Sequence, residues 1–493
     1  MQEMKRTSNK DESANQISFF LNGKPIQETI PAGLGTLDWL NNYKHMQGTK
    51  CSCNEGDCGA CTVVIAYPHE GTIAYEAITS CIYPAAKLHG RHLITIEALG
   101  EPNNLHPIQQ ALLDHHGTQC GYCTPGFVMS MFALFATYTH PDKETIFAAL
   151  EGNLCRCTGY QSIMEAAVEL SENYVPQDIV PTWCRKVEAQ LFNFKEPALM
   201  ILKPSGSPMV VQRYLVPEDF NSLFDYCAVE QDATFIAGGT DLMVQMNVSR
   251  KAFPVLIDLS RIPQLQRLYL QKDGLHIGAG VTYSQLLDSG IVKTDYPVLH
   301  RLISQIASKQ IRNFGTLAGN IANASPIGDS LPVLLALDAT LSLQSELEVR
   351  IFPIKDFFVG YRQTALRKKE IIREIILPII PKSTYMNYHK SAKRKAEDIS
   401  TVLTVTKIEL NAGMVSSAVL ALGGVAAIPI VSSVFAALVQ GKQPSELDAQ
   451  KIAITVAAEF SPLSDVRGSA DYRSKLIEKH VELYLEELKE LQP

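Results

Sequence analysis

With 44 Lys and Arg against 51 Asp and Glu, this 493-residue chain has no excess of positive charge, and its net charge of -7 excludes a broad basic field for gripping nucleic acid. It has only two tryptophans. Its first sixteen residues, MQEMKRTSNKDESANQ, lack the apolar core of a secretory signal, so residues 1–16 read as a disordered tail. No charge occurs from Leu410 to Gly441, and Ala418 to Val439 is largely apolar. A membrane-spanning helix needs about 20 apolar residues. Here Gly423, Gly424, Pro429, Ser432 and Ser433 interrupt the run, which reads as a strand, a loop and a short helix. The chain is therefore expected to be cytoplasmic, with neither a membrane nor a nucleic acid as partner. There is no fixed-period repeat and no low-complexity tract. A hydrophobic fraction of 46% and a charged fraction of 19% exclude a mostly disordered chain, a collagen-like repeat and a long coiled coil. Eleven cysteines, an odd number, do not suit a secreted disulfide scaffold. In a reducing cytoplasm they would be free for metals.

The length suggests about three domains. Residues 17 to 31, ISFFLNGKPIQETIP, read as two strands around an Asn22-Gly23 turn. A helix over 34 to 44 and strands at Val63 to Ala66 and around Ile94-Thr95-Ile96 complete a mixed unit over 17–97. Residues 98–175 hold four helical patterns: PIQQALLDHHG, PGFVMSMFALFATY, KETIFAALEGN and QSIMEAAVELSENY. Thr124 reads as a helix cap with Pro125 at the first helical position, and Gly117 and Gly152 as helix ends. Residues 176–200, with Pro176, Pro181 and Pro197, read as a linker. A glycine-rich α/β region follows over 201–381, and an α+β region over 382–493.

The cysteines cluster. Cys53, Cys58, Cys61 and Cys81 follow C-x4-C-x2-C with a distant fourth, the plant-type [2Fe-2S] spacing. Gly56 and Gly59, in CNEGDCGAC, allow a tight loop whose N–H groups face the sulfurs. A four-cysteine zinc site is the rival, although zinc sites usually present paired short spacings. Cys51 is a spare. A second quartet is Cys120, Cys123, Cys155 and Cys157, in QCGYCTPG and NLCRCTG. Zinc rivals it too. An iron-sulfur cluster is favoured because each pair precedes a helix start, whose N–H groups suit an anion, and because a neighbouring cluster makes a relay. Cys184 and Cys227 read as structural thiols, and His115-His116 as a helix end.

GTKCSCNEGDCGACTV, TSCIYPA, QCGYCTPGFVMS and GNLCRCTGY resemble the iron-sulfur part of the xanthine dehydrogenase and molybdenum hydroxylase family. FIAGGTDLM and IRNFGTLAGNIANASPIGDSLPVLLALDA resemble its FAD-binding domain. The resemblance runs from about residue 17 to residue 490. It implies a multidomain α+β chain: a ferredoxin-like β-grasp domain, a four-helix [2Fe-2S] domain, an α/β FAD-binding domain of the molybdenum hydroxylase type and an α+β C-terminal domain. It implies two [2Fe-2S] clusters and FAD as cofactors. The molybdopterin domain has no counterpart here, so the chain resembles the split members of the family. Molybdopterin is then expected on a separate large subunit, in a heterotetramer with two copies of each chain. Electrons would pass from that molybdenum, through the Cys120 quartet and then the Cys53 quartet, to FAD and NAD+. The partner would oxidise hypoxanthine and xanthine to urate. An aldehyde or another heterocycle as substrate, and a stand-alone NADH diaphorase, remain rivals. No catalytic residue is expected in this chain.

The flavin residues carried over are Phe235, Ile236, Ala237, Gly238, Gly239, Thr240, Asp241 and Leu242, which the resemblance places around the diphosphate. From residues alone, TFIA is strand-like, and Gly238-Gly239 could let backbone N–H groups meet a pyrophosphate or could simply form a tight turn. This is no Rossmann fingerprint. Thr316 and Asp329 also match family flavin contacts, as do Ile306, Ile372 and Lys390. Lys390 lies in YHKSAKRKAED, which resembles the loop beside the flavin ring. There Lys393, Arg394 and Lys395 precede Glu397 and Asp398, where NAD-using relatives carry several acidic residues. That run is either a solvated loop or a device that selects the acceptor.

Overall fold

A computed structural model describes residues 16–194, 200–202, 211–395 and 397–490. The proposed tail over 1–16, apart from Gln16, and residues 195–199 of the 176–200 interval lie outside the described residues. The chain divides into two compact units. One comprises Met1–Pro263 and Ala307–Gly315, the other Gln264–Ile306 and Thr316–Pro493.

The first unit opens with β1 (Ile17–Leu21) and β2 (Lys24–Glu28), paired antiparallel. Asn22 and Gly23 take φ values of 50° and 82°, the double left-handed turn that fits the twist of a hairpin. Helical turns at Thr36–Asp38 and Trp39–Tyr43 follow. β3 (Thr62–His69) and β4 (Thr72–Thr79) form a second hairpin. β5 (His92–Ile94) runs parallel to β1 and antiparallel to β3, giving the order β2-β1-β5-β3-β4. The near-continuous apolar sequence of β3 has a physical cause, since both of its faces are buried. Val63 and Ile65 join one core with Phe19, Trp39 and Tyr83. Val64 and Ala66 join another with Phe127, Phe132 and Ile163.

That second core belongs to four helices: α1 (Pro107–Asp114), α2 (Thr124–Thr137), α3 (Lys143–Leu150) and α4 (Gln161–Asn173). One detail corrects the sequence reading. Cys123, not Thr124, is the residue that precedes α2, and Thr124 is already helical. The Thr124 hydroxyl meets the Thr118 hydroxyl at 2.8 Å instead of capping the helix.

The linker reading for 176–200 is also corrected. α5 (Pro176–Ile179) and α6 (Thr182–Phe192) occupy most of it. Cys184, Val187 and Leu191 are buried at i, i+3 and i+7, with Val187 and Leu191 packed on Phe20. A stripe of three residues is too short to stand out among three prolines.

The unit closes with β6 (Met200–Leu202), β7 (Arg213–Val216), α7 (Phe220–Val229), β8 (Thr234–Ile236), α8 (Thr240–Asn247) and β9 (Val255–Asp258). β7, β9 and β8 run parallel, and β6 pairs antiparallel to β7. Tyr214, Met243 and Leu256 complete the core that holds Phe19 and Trp39.

The second unit has an antiparallel sheet with order β10-β11-β16-β12-β13. Its strands are β10 (Leu268–Gln271), β11 (Gly274–Gly278), β12 (Thr340–Gln344), β13 (Val349–Pro353) and β16 (Ile371–Leu377); β14 (Phe358–Gly360) and β15 (Gln363–Thr364) form a small hairpin beside it. Between β11 and β12 lie α9 (Leu317–Asn323) and α10 (Ser330–Ala336). A second sheet follows, β17 (Thr384–Ser391), β18 (Val402–Asn411), β19 (Met414–Gly423) and β20 (Ile430–Val431). The charge-free stretch is β19, a loop, β20 and α11 (Phe435–Val439), the strand, loop and short helix its glycines and proline indicate. It lacks charge because it is core. Leu420, Leu422 and Phe435 pack with Ile477 and Tyr484 of α13 (Ala470–Glu490), as does Ile452 of α12 (Ala449–Ala457). Among the described residues, no helix is long and apolar enough to cross a membrane.

Two predictions test this packing. Phe132 is fully buried and meets Tyr75 edge-on at 6.0 Å, whereas Phe147 is 55% exposed. Phe132→Ala should cost about 3–5 kcal/mol in a denaturant titration, and Phe147→Ala no more than about 0.5 kcal/mol. In the second unit, burial holds His480 down to about 3, and its ring nitrogens meet Ser391 and Thr404 hydroxyls at 2.9 and 3.1 Å. Between pH 6.5 and 3 the unfolded chain takes up a proton that the folded unit refuses. Stability should fall as pH drops through that window and stay level above it. His480→Gln should flatten the slope in melting curves recorded against pH.

Candidate functional site

The first quartet lies at the open end of the β3–β4 hairpin. Cys53, Cys58 and Cys61 lie on the loop before β3, and Cys81 on a tight turn, Ser80–Ile82, after β4. The hairpin therefore brings residues twenty apart in sequence back together. Cys61 and Cys81 Sγ are 3.3 Å apart and buried. Cys53 contacts both Cys58 and Cys81, which hold its thiol well below the usual range, and contact with Cys81 lowers the Cys61 thiol. The Ser80 hydroxyl donates to Cys61 O at 2.6 Å, and Glu55 N–H faces Cys53 Sγ at 3.5 Å. Cys51 is exposed, and its carbonyl accepts from the Tyr122 hydroxyl.

The second quartet lies at the entrances to α2 and α4. Cys123 contacts Cys155, and Cys157 contacts Cys120. Burial works against a Cys155 thiolate, but the Thr158 hydroxyl at 3.1 Å and its N–H at 3.5 Å hold that thiol below the usual range. The Tyr160 hydroxyl accepts from Cys155 N–H at 3.0 Å. Among the described residues, no group of three or more His, Cys, Asp or Glu side chains is set around a single-ion position; the thiols meet chiefly as pairs. Thiols in pairs, with N–H or O–H donors on the Cys53 and Cys155 sulfurs, are a donor set that suits a two-iron cluster.

The two cysteine loops touch. Leu154 N–H donates to Cys58 O at 3.0 Å. Gly59 has φ 66°, and a Cβ there would lie 2.2 Å from Gly152 O. Asn153, 2% exposed, fills the seam. Its Nδ2 donates to Gly59 O at 3.0 Å and to Thr62 Oγ1 at 3.2 Å, while its Oδ1 accepts from Ser130 at 2.6 Å and Gln310 at 2.9 Å. Sequence reasoning missed Asn153, Ser130 and Gln310. An asparagine beside a cysteine pair was the only available signal.

The flavin residues fall in both units. In the first, Phe235 and Ile236 end β8, Gly239 is the residue before α8 with φ 89°, and Thr240, Asp241 and Leu242 begin that helix. A Cβ on Gly238 would lie 2.1 Å from Phe314 O, so only glycine fits that close approach. The stretch as a whole is half-buried, and the start of α8 has no side-chain cap, which leaves N–H donors for an anion.

In the second unit, Asp329 precedes α10 and pairs with Lys390 of β17 at 2.8 Å. Lys390 also donates to Gln305 O, beside Ile306, at 3.1 Å, and the Ser400 hydroxyl donates to Asp329 Oδ1 at 2.6 Å. These contacts gather Asp329 and Lys390 next to Ile306. Thr316 caps α9 by accepting from Gly319 N–H at 3.0 Å, and Ile372 is buried on β16, against which α9 packs. In the basic loop, Lys393 donates to Val466 O at 2.9 Å, and Arg394 N–H donates to Asp398 at 2.9 Å.

Residues 95–168 match a [2Fe-2S] binding domain, residues 209–380 the FAD binding domain in molybdopterin dehydrogenase, and residues 387–488 the CO dehydrogenase flavoprotein C-terminal domain. The chain belongs to the molybdenum hydroxylase family. Its matched domains are those that bind a [2Fe-2S] cluster and FAD in that family. It is 31% identical to the xanthine dehydrogenase of Blastobotrys adeninivorans, over 94% of this chain and 40% of that one. It is 30% identical to the xanthine dehydrogenase/oxidase of Rattus norvegicus, over 84% of this chain and 34% of the rat protein. The chain thus spans about two fifths or less of those relatives. Among solved structures, a carbon monoxide dehydrogenase chain from Hydrogenophaga pseudoflava matches with 27% identity and a TM-score of 0.52, over 55% of this chain and 94% of that one. A quinoline 2-oxidoreductase chain from Pseudomonas putida 86 matches with 25% identity and a TM-score of 0.51, over 56% and 95%.

The ligand assignment makes a prediction. Cys58→Ser should remove about half of the bound iron and leave the Cys120 quartet's spectrum in place, since each two-iron cluster needs its own four ligands. Cys51→Ser should leave iron content and both electron paramagnetic resonance (EPR) signals unchanged.

Proposed function

We propose that this chain is the electron-transfer half of a xanthine dehydrogenase, receiving electrons released when a molybdopterin-bearing partner chain oxidises hypoxanthine and xanthine to urate, with NAD+ as final acceptor. The reading places two copies of each chain in a heterotetramer in the cytoplasm. The observation that carries it is the convergence of both cysteine quartets in a unit that also holds the diphosphate stretch. The xanthine dehydrogenase relatives support the choice of substrate.

Cys53, Cys58, Cys61 and Cys81 would hold one [2Fe-2S] cluster, and Cys120, Cys123, Cys155 and Cys157 the other. Phe235 to Leu242 would take the FAD diphosphate through backbone N–H groups, with Ile306, Thr316, Asp329, Ile372 and Lys390 as the remaining flavin residues. When bound, the clusters carry one electron each and FAD two, which converts a two-electron oxidation into single steps and back.

The chain's own residues do the positioning. Asn153 and the Leu154–Cys58 hydrogen bond keep the two cysteine loops in contact. Donors from Glu55 and Thr158 stabilise thiolate charge on Cys53 and Cys155. Burial of Cys61 and Cys81 excludes water from one side of the first quartet. Lys390 and Asp329 neutralise each other and hold fixed positions in the second unit.

The test is purification of the chain with its native partner, followed by metal and flavin analysis and anaerobic addition of xanthine. A brown complex with about four iron atoms and one FAD per copy of this chain, bleached by xanthine and restored by NAD+, is the expected result. Bleaching by an aldehyde or by another heterocycle, but not by xanthine, moves the partner's substrate. A chain that purifies alone with high NADH:dye activity is a diaphorase instead. Zinc in place of iron sinks every version.

A further inference from the structure

Two polar side chains outside both quartets tie the first cysteine loop to the diphosphate stretch. Asn247 is the last residue of α8, and its Nδ2 donates to Cys81 O at 2.9 Å and to Asn54 O at 3.1 Å. Lys87, on the turn Ala85–Leu88 that follows Cys81, is 8% exposed. Its Nζ donates to Ala237 O at 2.5 Å and pairs with Asp258 at 3.1 Å. Asp258 also accepts from the Tyr214 hydroxyl at 2.6 Å and from Ser260 N–H at 2.9 Å. The stretch from Ala237 to Asn247 is thus gripped at its start by Lys87 and at its end by Asn247. Both grips lead back to the segment that carries Cys81.

We propose that Lys87 and Asn247 are positioning residues, a two-point clamp that makes holding the first cluster and holding FAD one coupled event. This rests on the cluster and flavin assignments above. A peptide unit is planar and trans, so the Ala237 carbonyl and the Gly238 N–H point in opposite directions. Fixing the carbonyl on Lys87 therefore fixes the Gly238 N–H, one of the donors available to a diphosphate. A lysine remains buried only when it is paired, and Asp258 supplies the pair. At the other end, the Asn247 amide polarises the carbonyl of a cluster ligand, which bears on the potential of that cluster. α8 is a single short helix, so a shift at either end is passed to the other. Coupling of this kind is reciprocal: the first cluster favours FAD by the same factor as FAD favours the first cluster.

The experiment uses the full chain loaded with iron and FAD, and compares wild type with Asn247→Leu and with the double variant Lys87→Met/Asp258→Asn. The double variant removes both charges, so neither is stranded. Three quantities are read: the FAD dissociation constant, the EPR spectrum and midpoint potential of the first cluster, and the EPR signal of the second. The second signal reports that the unit is folded. With that signal intact, the double variant should hold FAD at least tenfold more weakly. Asn247→Leu should weaken FAD by a similar factor and also move the first cluster's midpoint potential. Cys58→Ser, which alters no proposed flavin contact, should weaken FAD as well.

FAD affinity and first-cluster spectra at wild-type values in both clamp variants overturn the clamp and leave the flavin assignment standing. A wild-type chain that carries iron but takes no FAD overturns the flavin assignment, and the clamp falls with it. Should the double variant lose the second-cluster signal, Asn247→Leu alone decides.

Discussion

Much of the first unit depends on one buried amide. Asn153 uses both donors and both acceptor positions of its side chain, and each partner comes from a different place in the chain. Gly59 is in the first cysteine loop, Thr62 on β3, Ser130 on α2 and Gln310 in the 307–315 segment. An amide buried with every group satisfied is highly specific, because any displacement leaves several polar atoms unpaired, at about 1–3 kcal/mol each. The backbone around it is equally exacting. A Cβ on Gly126 would lie 2.3 Å from Gly59 O, so the first loop can rest directly on the start of α2. The two cysteine loops meet through the Leu154 N–H on Cys58 O, with the Asn153 amide on Gly59 O and the Tyr122 hydroxyl on Cys51 O beside it.

The ion pair of Lys87 and Asp258 belongs to the same logic. Burying two charges costs several kcal/mol per ion, and their attraction returns that only when the remaining donors and acceptors are matched. Here they are matched by the Ala237 carbonyl, the Tyr214 hydroxyl and the Ser260 N–H. A well-packed apolar pair would stabilise the unit equally well. What the charged pair adds is direction, since it selects one arrangement of the Ala237 peptide relative to the segment that carries Cys81.

What the sequence makes legible, and what it does not, follows from distance along the chain. The Asn22-Gly23 turn, the four helices and the breaks in the charge-free stretch are set by neighbours a few residues apart, and they stand in the fold as their local patterns indicate. The close thiol contacts within each quartet are also consistent with spacing alone. Asn153, Gln310, Lys87 and Asn247 are different. Gln310 meets Ser130 across 180 positions, and Asn247 meets Cys81 across 166. No periodicity marks such residues, because their role is fixed by tertiary packing. The missed helix α6 lies between these cases, its stripe of Cys184, Val187 and Leu191 being real but short. The division into units was illegible for the same reason. Residues 307–315 interrupt a segment of the second unit, and Ile306 and Thr316 are the residues on either side of that interruption.

Helix starts carry the last part of the argument. α1, α3 and α7 begin with side-chain caps, from His106, Asp142 and Asp219, which satisfy free N–H groups locally. α2, α4 and α8 begin at Cys123, Tyr160 and Gly239 with no side-chain cap. α6 also lacks a cap, so this absence alone does not mark a site. What sets the three apart is what stands at their entrances: a quartet cysteine at α2, the Cys155 and Cys157 loop before α4, and the Gly238-Gly239 turn before α8. An uncapped helix start exposes N–H groups and a partial positive charge, and its sequence gives up about 1 kcal/mol of capping stability. An anion at that position would satisfy the same donors and restore the loss. Thr124 illustrates the trade. It has the chemistry of a cap, yet it sits one residue inside the helix, and the position where it would have capped is occupied by Cys123.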